Sequence, residues 1–83
     1  MPKFMDVHRG FVGATAAELQ AAHEADQKIE AEEGVTFERA WLDPTSGHVF
    51  CLSTAPSADA VRKIHERAGH PADEVHELAI EVE

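Results

Sequence analysis

The chain has a single cysteine, Cys51, and no Cys-x-x-Cys pair. That excludes an internal disulfide, and it excludes thiolate zinc sites and iron-sulfur clusters, which need several cysteines at close spacing. Basic residues are also scarce, with 7 lysines and arginines against 16 acids and a formal net charge of −9. Such a chain repels phosphate backbones and anionic lipid, and its Lys and Arg form no stripe on any expected element, so nucleic acid is set aside as a partner. No apolar run approaches the roughly 18 residues of a membrane span, and no secretory leader is visible in Met1-Pro2-Lys3-Phe4. A soluble, cytoplasmic protein with no membrane association is expected. With 83 residues the chain reads as one domain, residues 1–83, whose small core calls for help from a dimer partner or a metal.

What is plentiful is imidazole beside carboxylate. Between His65 and Glu77 stand three histidines, His65, His70 and His76, together with Glu66, Asp73, Glu74 and Glu77. They span an expected helix end, a tight connection and the start of a strand. Acids elsewhere crowd the first helix, and a field of that sign raises the local concentration of cations, although a solvated surface explains exposed acids equally well.

Lys3 to Arg9 alternates in character and reads as a strand. Thr15-Ala16-Ala17-Glu18 is a capping box opening a helix that runs to about Glu33 and stops at Gly34. Its inner stripe is Leu19, Ala22 and Ile29, with His23 and Asp26 in the same stripe. Thr36 to Leu42 and His48 to Ser53 read as two strands joined through Asp43-Pro44-Thr45-Ser46-Gly47, whose turn chemistry makes them antiparallel. Ser57 caps a second helix that Gly69 ends, with Val61, Ile64, His65 and Ala68 in its stripe. Glu74 to Val82 is the last expected strand.

The order β-α-β-β-α-β predicts an α+β fold, the ferredoxin-like split β-α-β sandwich with an antiparallel sheet and both helices on one face. The helices are expected to cover Met5, Val7, Ala40, Leu42, Phe50, Leu52, Leu78, Ile80 and Val82. Phe4, Trp41 and Val49, beside Asp6, His8, Arg39, Cys51 and Glu77, then form an open face suited to a dimer interface with a polar pocket.

Two constellations carry chemistry in this plan. Asp6 and His8 share one side of a central strand, near Cys51, Ser53 and Glu77, at a spacing that fits a shared cation or a hydrogen-bonded pair. His23 and Asp26 lie one helical turn apart with His65 across from them, which fits a borderline divalent metal or a buried hydrogen-bonded network. An unpaired Asp26 there would cost roughly several kcal/mol, so it requires a partner. His70 and His76 are expected at the surface as further competent ligands. His48 reads as a surface residue and Cys51 as a small buried apolar group. Pro2 as a tautomerase base is set aside, because Met1 blocks its amine.

Phe4-Met5-Asp6-Val7-His8, Ala22-His23-Glu24-Ala25-Asp26, Glu33-Gly34-Val35, Ala40-Trp41, Asp43-Pro44, Ser46-Gly47, Val49-Phe50-Cys51-Leu52-Ser53, Ala55-Pro56-Ser57-Ala58-Asp59-Ala60-Val61 and the run from His65 to Glu77 resemble the small bacterial nickel-binding proteins of a domain-of-unknown-function family. The resemblance covers nearly the whole chain and implies a ferredoxin-like homodimer that binds nickel at the dimer surface, with a role in sequestration or detoxification; a surface site would favour His8, His70 and His76 over the inward-facing trio. Within the matched segments it points to His8, His23, His65, His70 and His76, and geometry adds Asp26. His48 interrupts the match. The leading expectation is therefore a non-catalytic, nickel-binding homodimer with His and carboxylate ligands. Two others stand beside it: a small-molecule enzyme of the dimeric α+β barrel type, with His8 as base and Arg39 or Cys51 assisting on the open face, and a plain dimerisation module.

Overall fold

A computed structural model describes residues 1–83. Strand β1 (Lys3–His8) leads to helix α1 (Ala16–Ile29), which tightens into a 3-10 turn over Glu30–Glu33. Strands β2 (Thr36–Asp43) and β3 (His48–Thr54), helix α2 (Ala58–Arg67) and strand β4 (Glu74–Glu77) follow. The sheet order is β2-β3-β1-β4, every neighbouring pair antiparallel, as the ferredoxin-like plan requires.

Local chemistry sets the helix ends. The Thr15 side chain accepts from the Glu18 backbone N–H while Glu18 returns a bond to the Thr15 N–H. Two of the orphan donors at the helix start are thereby satisfied. Ser57 caps α2 through the Ala60 N–H. Gly34, at φ 69°, takes the left-handed conformation that ends the first helical segment, a position where a side chain would be strained.

Three expectations fail, each for a physical reason. The helices cover the face of Phe4, Asp6 and His8, with Val49, Cys51 and Ser53 on β3; these are buried, while Met5, Val7, Phe50 and Leu52 are half-buried on the outward side. Period two tells which residues share a face but not which face the helices choose. The choice follows α2, whose buried Val61 and Ile64 join Phe4, Phe37, Val35, Ala55 and Ala60 in one apolar core. Second, a bulge between Phe37 and Arg39 leaves Glu38 without a partner on β3, so Phe37 and Ala40 fall on the same covered face despite odd spacing. Third, β4 stops at Glu77 instead of Val82, because its partner runs out: Phe4 pairs with Glu77, the Leu78 N–H reaches the Lys3 carbonyl, and Pro2 beyond has no N–H to offer. Ile80 and Val82 are 90% and 89% exposed.

Candidate metal centre

The apolar core fills one end of the space between sheet and helices. The other end is polar. Asp6 and His8 project from β1, His65 from α2 and Asp26 from α1, where it is the only buried residue of that helix. Their exposures are 0%, 3%, 0% and 2%. The connection after α2 folds back over them: the His70 N–H bonds the His65 carbonyl and the Asp73 N–H bonds the Val7 carbonyl, while the Asp73 carboxylate takes the Arg9 N–H. Those ties bring His70 and the Pro71 carbonyl down onto the cluster.

His65 is its hub. Its Nδ1 lies 3.1 Å from Asp26 Oδ1 and its Nε2 2.9 Å from Asp6 Oδ2. A carboxylate accepts only, so both ring nitrogens donate and the ring is an imidazolium. Burial opposes that charge, but hydrogen bonds to Asp26 and Asp6 and the pull of their charges outweigh it and raise the His65 pKa to about 9. By the same balance burial pushes the two carboxyls up, yet the hydrogen bonds from His65 and the nearness of His8 and His70 hold Asp6 and Asp26 below the ordinary carboxylate value. His70 Nε2 donates to the same Asp26 Oδ1 at 2.8 Å.

His8 makes the centre reactive toward a cation. Its Nδ1 gives its proton to the Pro71 carbonyl at 3.1 Å, so in the neutral ring the lone pair sits on Nε2. That Nε2 lies 2.8 Å from Asp6 Oδ1, but the ring direction misses the oxygen and no hydrogen bond joins them. Both atoms are fully buried and without a partner. Two electron-rich atoms this close repel one another unless a cation, a proton or a metal ion, serves both. With the His8 and His70 rings in their neutral forms, two carboxylates against the His65 imidazolium leave an unbalanced negative charge in a desolvated place. Cys51, opposite Asp6 on β3, brings its sulfur to the same point, and ligand atoms of Asp6, His8, Cys51 and His65 lie within 4.8 Å of one another. Asp26, His65 and His70 form a second such group. Burial, then the charges of Asp6 and Asp26, push the Cys51 thiol pKa up, so it is a thiol until a metal displaces its proton.

The structure thus gathers His8, His65, Asp26 and His70, while His23 and His76 stand apart. His70, expected at the surface, is turned inward and held by Asp26. His23 is engaged by Gln27 and lines a neighbouring cavity, not the ligand groups. His76 is exposed on the outward face beside Glu74, 2.9 Å away. Asp6 joins the centre, as the shared-cation reading of its spacing to His8 allowed although it was not named among the ligands, and so does Cys51, which was read as a small buried apolar group. The signal for both lay in the Asp6-x-His8 alternation on a central strand with Cys51 in register beside it. The pocket bordered by His8 and Cys51 also lies under α1 and not on the open face expected for an enzyme of the barrel type.

Fold and site together define a small ferredoxin-like protein whose interior carries a carboxylate, imidazole and thiol cluster of the kind divalent transition metals favour. The family model described as "Nickel responsive protein SCO4226-like" matches residues 4–78, and the chain belongs to that family. The chain is 55% identical to SCO4226 from Streptomyces coelicolor A3(2), whose crystal structure it matches with a TM-score of 0.94, over 96% of this chain and 99% of that one. None of the curated proteins matches. No helix is long and apolar enough to cross a membrane.

Proposed function

We propose that the protein binds nickel, without catalysing a reaction, and sequesters it in the cytoplasm as a homodimer. The observation that carries this reading is the pair of buried, unpartnered atoms, His8 Nε2 and Asp6 Oδ1, set 2.8 Å apart beside a thiol. They would hold the ion with Cys51 Sγ, a nitrogen, oxygen and sulfur set that suits a borderline dication such as nickel. His65 would act differently from the ligands. Both of its nitrogens are spent on carboxylates, so it fixes the orientation of Asp6 and, with the Pro71 carbonyl on His8, presents the donor atoms toward the ion. The family's description as nickel responsive supports the choice of metal. The half-exposed outward face of Met5, Val7, Phe50 and Leu52, with Trp41 45% exposed, supports a second copy as its cover.

Calorimetric titration of metal-free protein with nickel tests the site. Wild type is expected to take up the ion, His8→Ala to bind at least about tenfold more weakly, and His76→Ala to bind as wild type. Loss of binding in His76→Ala with none in His8→Ala would place the metal on the surface and overturn the assignment.

A further inference from the structure

Next to the ligand cluster, between α1 and the sheet, lies a cavity of about 190 Å³. It exists because α1 turns small residues inward. Ala22 lines the cavity with Leu42 and Val49, and Leu19 is the only large apolar side chain the helix adds. A cavity of about 150 Å³ lined by apolar side chains alone is enough for a benzene ring. Here five polar side chains, His8, Glu18, His23, Asp26 and His70, interrupt the apolar lining. His70 is held by Asp26 and Glu18 by Thr15, and His8 Nε2 is the atom assigned above to the ion. Gln27 Nε2 donates to His23 Nε2, which leaves the proton of that ring on Nδ1, and this buried Nδ1 has no partner. Asp26 spends Oδ1 on both His65 and His70, and no hydrogen bond reaches its Oδ2.

With His8 Nε2 set aside for the ion, a step that rests on the function proposed above, the cavity offers one free donor and one free acceptor, which match a particular ligand chemistry. A hydroxyl on an aromatic ring gives one proton and accepts one, so it can serve Asp26 Oδ2 and His23 Nδ1 together while the ring fills the apolar remainder. A carboxylate-bearing ring would meet Asp26 and the Glu18 carboxyl at the same cavity, which repel it. We propose that this cavity binds a small neutral hydroxyarene of the phenol class. The hydroxyl's partners are neither of the free atoms assigned to nickel, although His8 and Cys51 also border the cavity, so the test is made on metal-free protein.

Two-dimensional NMR of the full-length, metal-free protein titrated with phenol in the presence of a chelator tests the proposal. Saturable shifts centred on Leu19, Ala22 and Leu42 are expected, with contacts from the phenol ring protons to the Leu19 and Leu42 methyls. Toluene, which lacks the hydroxyl, is expected to bind about tenfold more weakly, and benzoate not at all, because the buried polar groups are then unpaired or repelled. Ala22→Leu, which fills the space, is expected to abolish the shifts while nickel uptake persists. Should Ala22→Leu not fold, the ring-to-methyl contacts in the wild type decide by themselves. Absence of saturable shifts, equal binding of toluene, or contacts elsewhere on the surface would overturn the proposal.

Discussion

Asp6 and Met5 are neighbours on one strand and live in opposite solvents. Under the helices, Asp6, His8, His65 and Asp26 form a dry polar network beside an apolar core; on the outward face Met5, Val7, Trp41, Phe50 and Leu52 present half-exposed apolar surface to water. Stability alone would favour the reverse. The difference teaches that the inner face gives up part of its hydrophobic burial to hold charged donor atoms, while the outward face keeps apolar side chains partly in water.

The sharpest way to break that contrast is to remove the hub. His65→Ala leaves Asp6 and Asp26 buried with no counter-charge, and is expected to cost about 3–5 kcal/mol or to prevent folding, read by urea denaturation. His76→Ala, on the outward face, is expected to change stability by less than about 0.5 kcal/mol. Equal losses from the two would mean that the network is not the strained half of the molecule.

Proton linkage gives the next effect. The folded pKa of His65 is raised from 6.5 to about 9, so its contribution is fully present below 6.5 and is lost as pH climbs toward 9. That loss amounts to roughly 3 kcal/mol in metal-free protein, from the width of the window. Asp6 and Asp26, held below 3.8, contribute above that value and lose their contribution as pH falls through their lower folded values. Urea melts from pH 4 to pH 10 should therefore peak on the acid side of neutrality, and a level plateau through pH 9 would count against a charged His65.

On the other face, Trp41→Ala is expected to weaken self-association by about 2 kcal/mol, since a large exposed aromatic is the usual anchor of an interface. Sedimentation at several concentrations would show it, and nickel uptake should be unchanged. A wild type that stays monomeric at every concentration would remove the proposed partner from that face. A smaller effect than these losses lies off both faces. Thr15→Ala breaks the capping box and should cost about 1 kcal/mol, which sets the scale against which the network is judged.

Much of the fold could be read from local chemistry. The Thr15-Glu18 box, Ser57, Gly34 and Gly69 marked the helix ends, and the turn residues between Asp43 and Gly47 fixed the antiparallel pairing. The site was less legible. Asp6 and His8 could be paired from their alternation, and Asp26 with His65 from their stripes, but joining the two pairs through His65 needed the helices to lie on the Phe4 face. Nothing local showed the bulge at Glu38 or the lack of a strand partner beyond Lys3, because both are set by what the neighbouring strand offers.

The chain's own residues determined the element order, the caps, the acidic character and the supply of imidazoles, since each follows from interactions within a few positions. Only the tertiary structure decided which face is covered, that His70 turns inward, and that His8 Nε2 and Asp6 Oδ1 confront one another unpaired. Those outcomes depend on contacts between residues far apart in the chain, such as His8 with Pro71, 63 positions away, and no short stretch of sequence contains them.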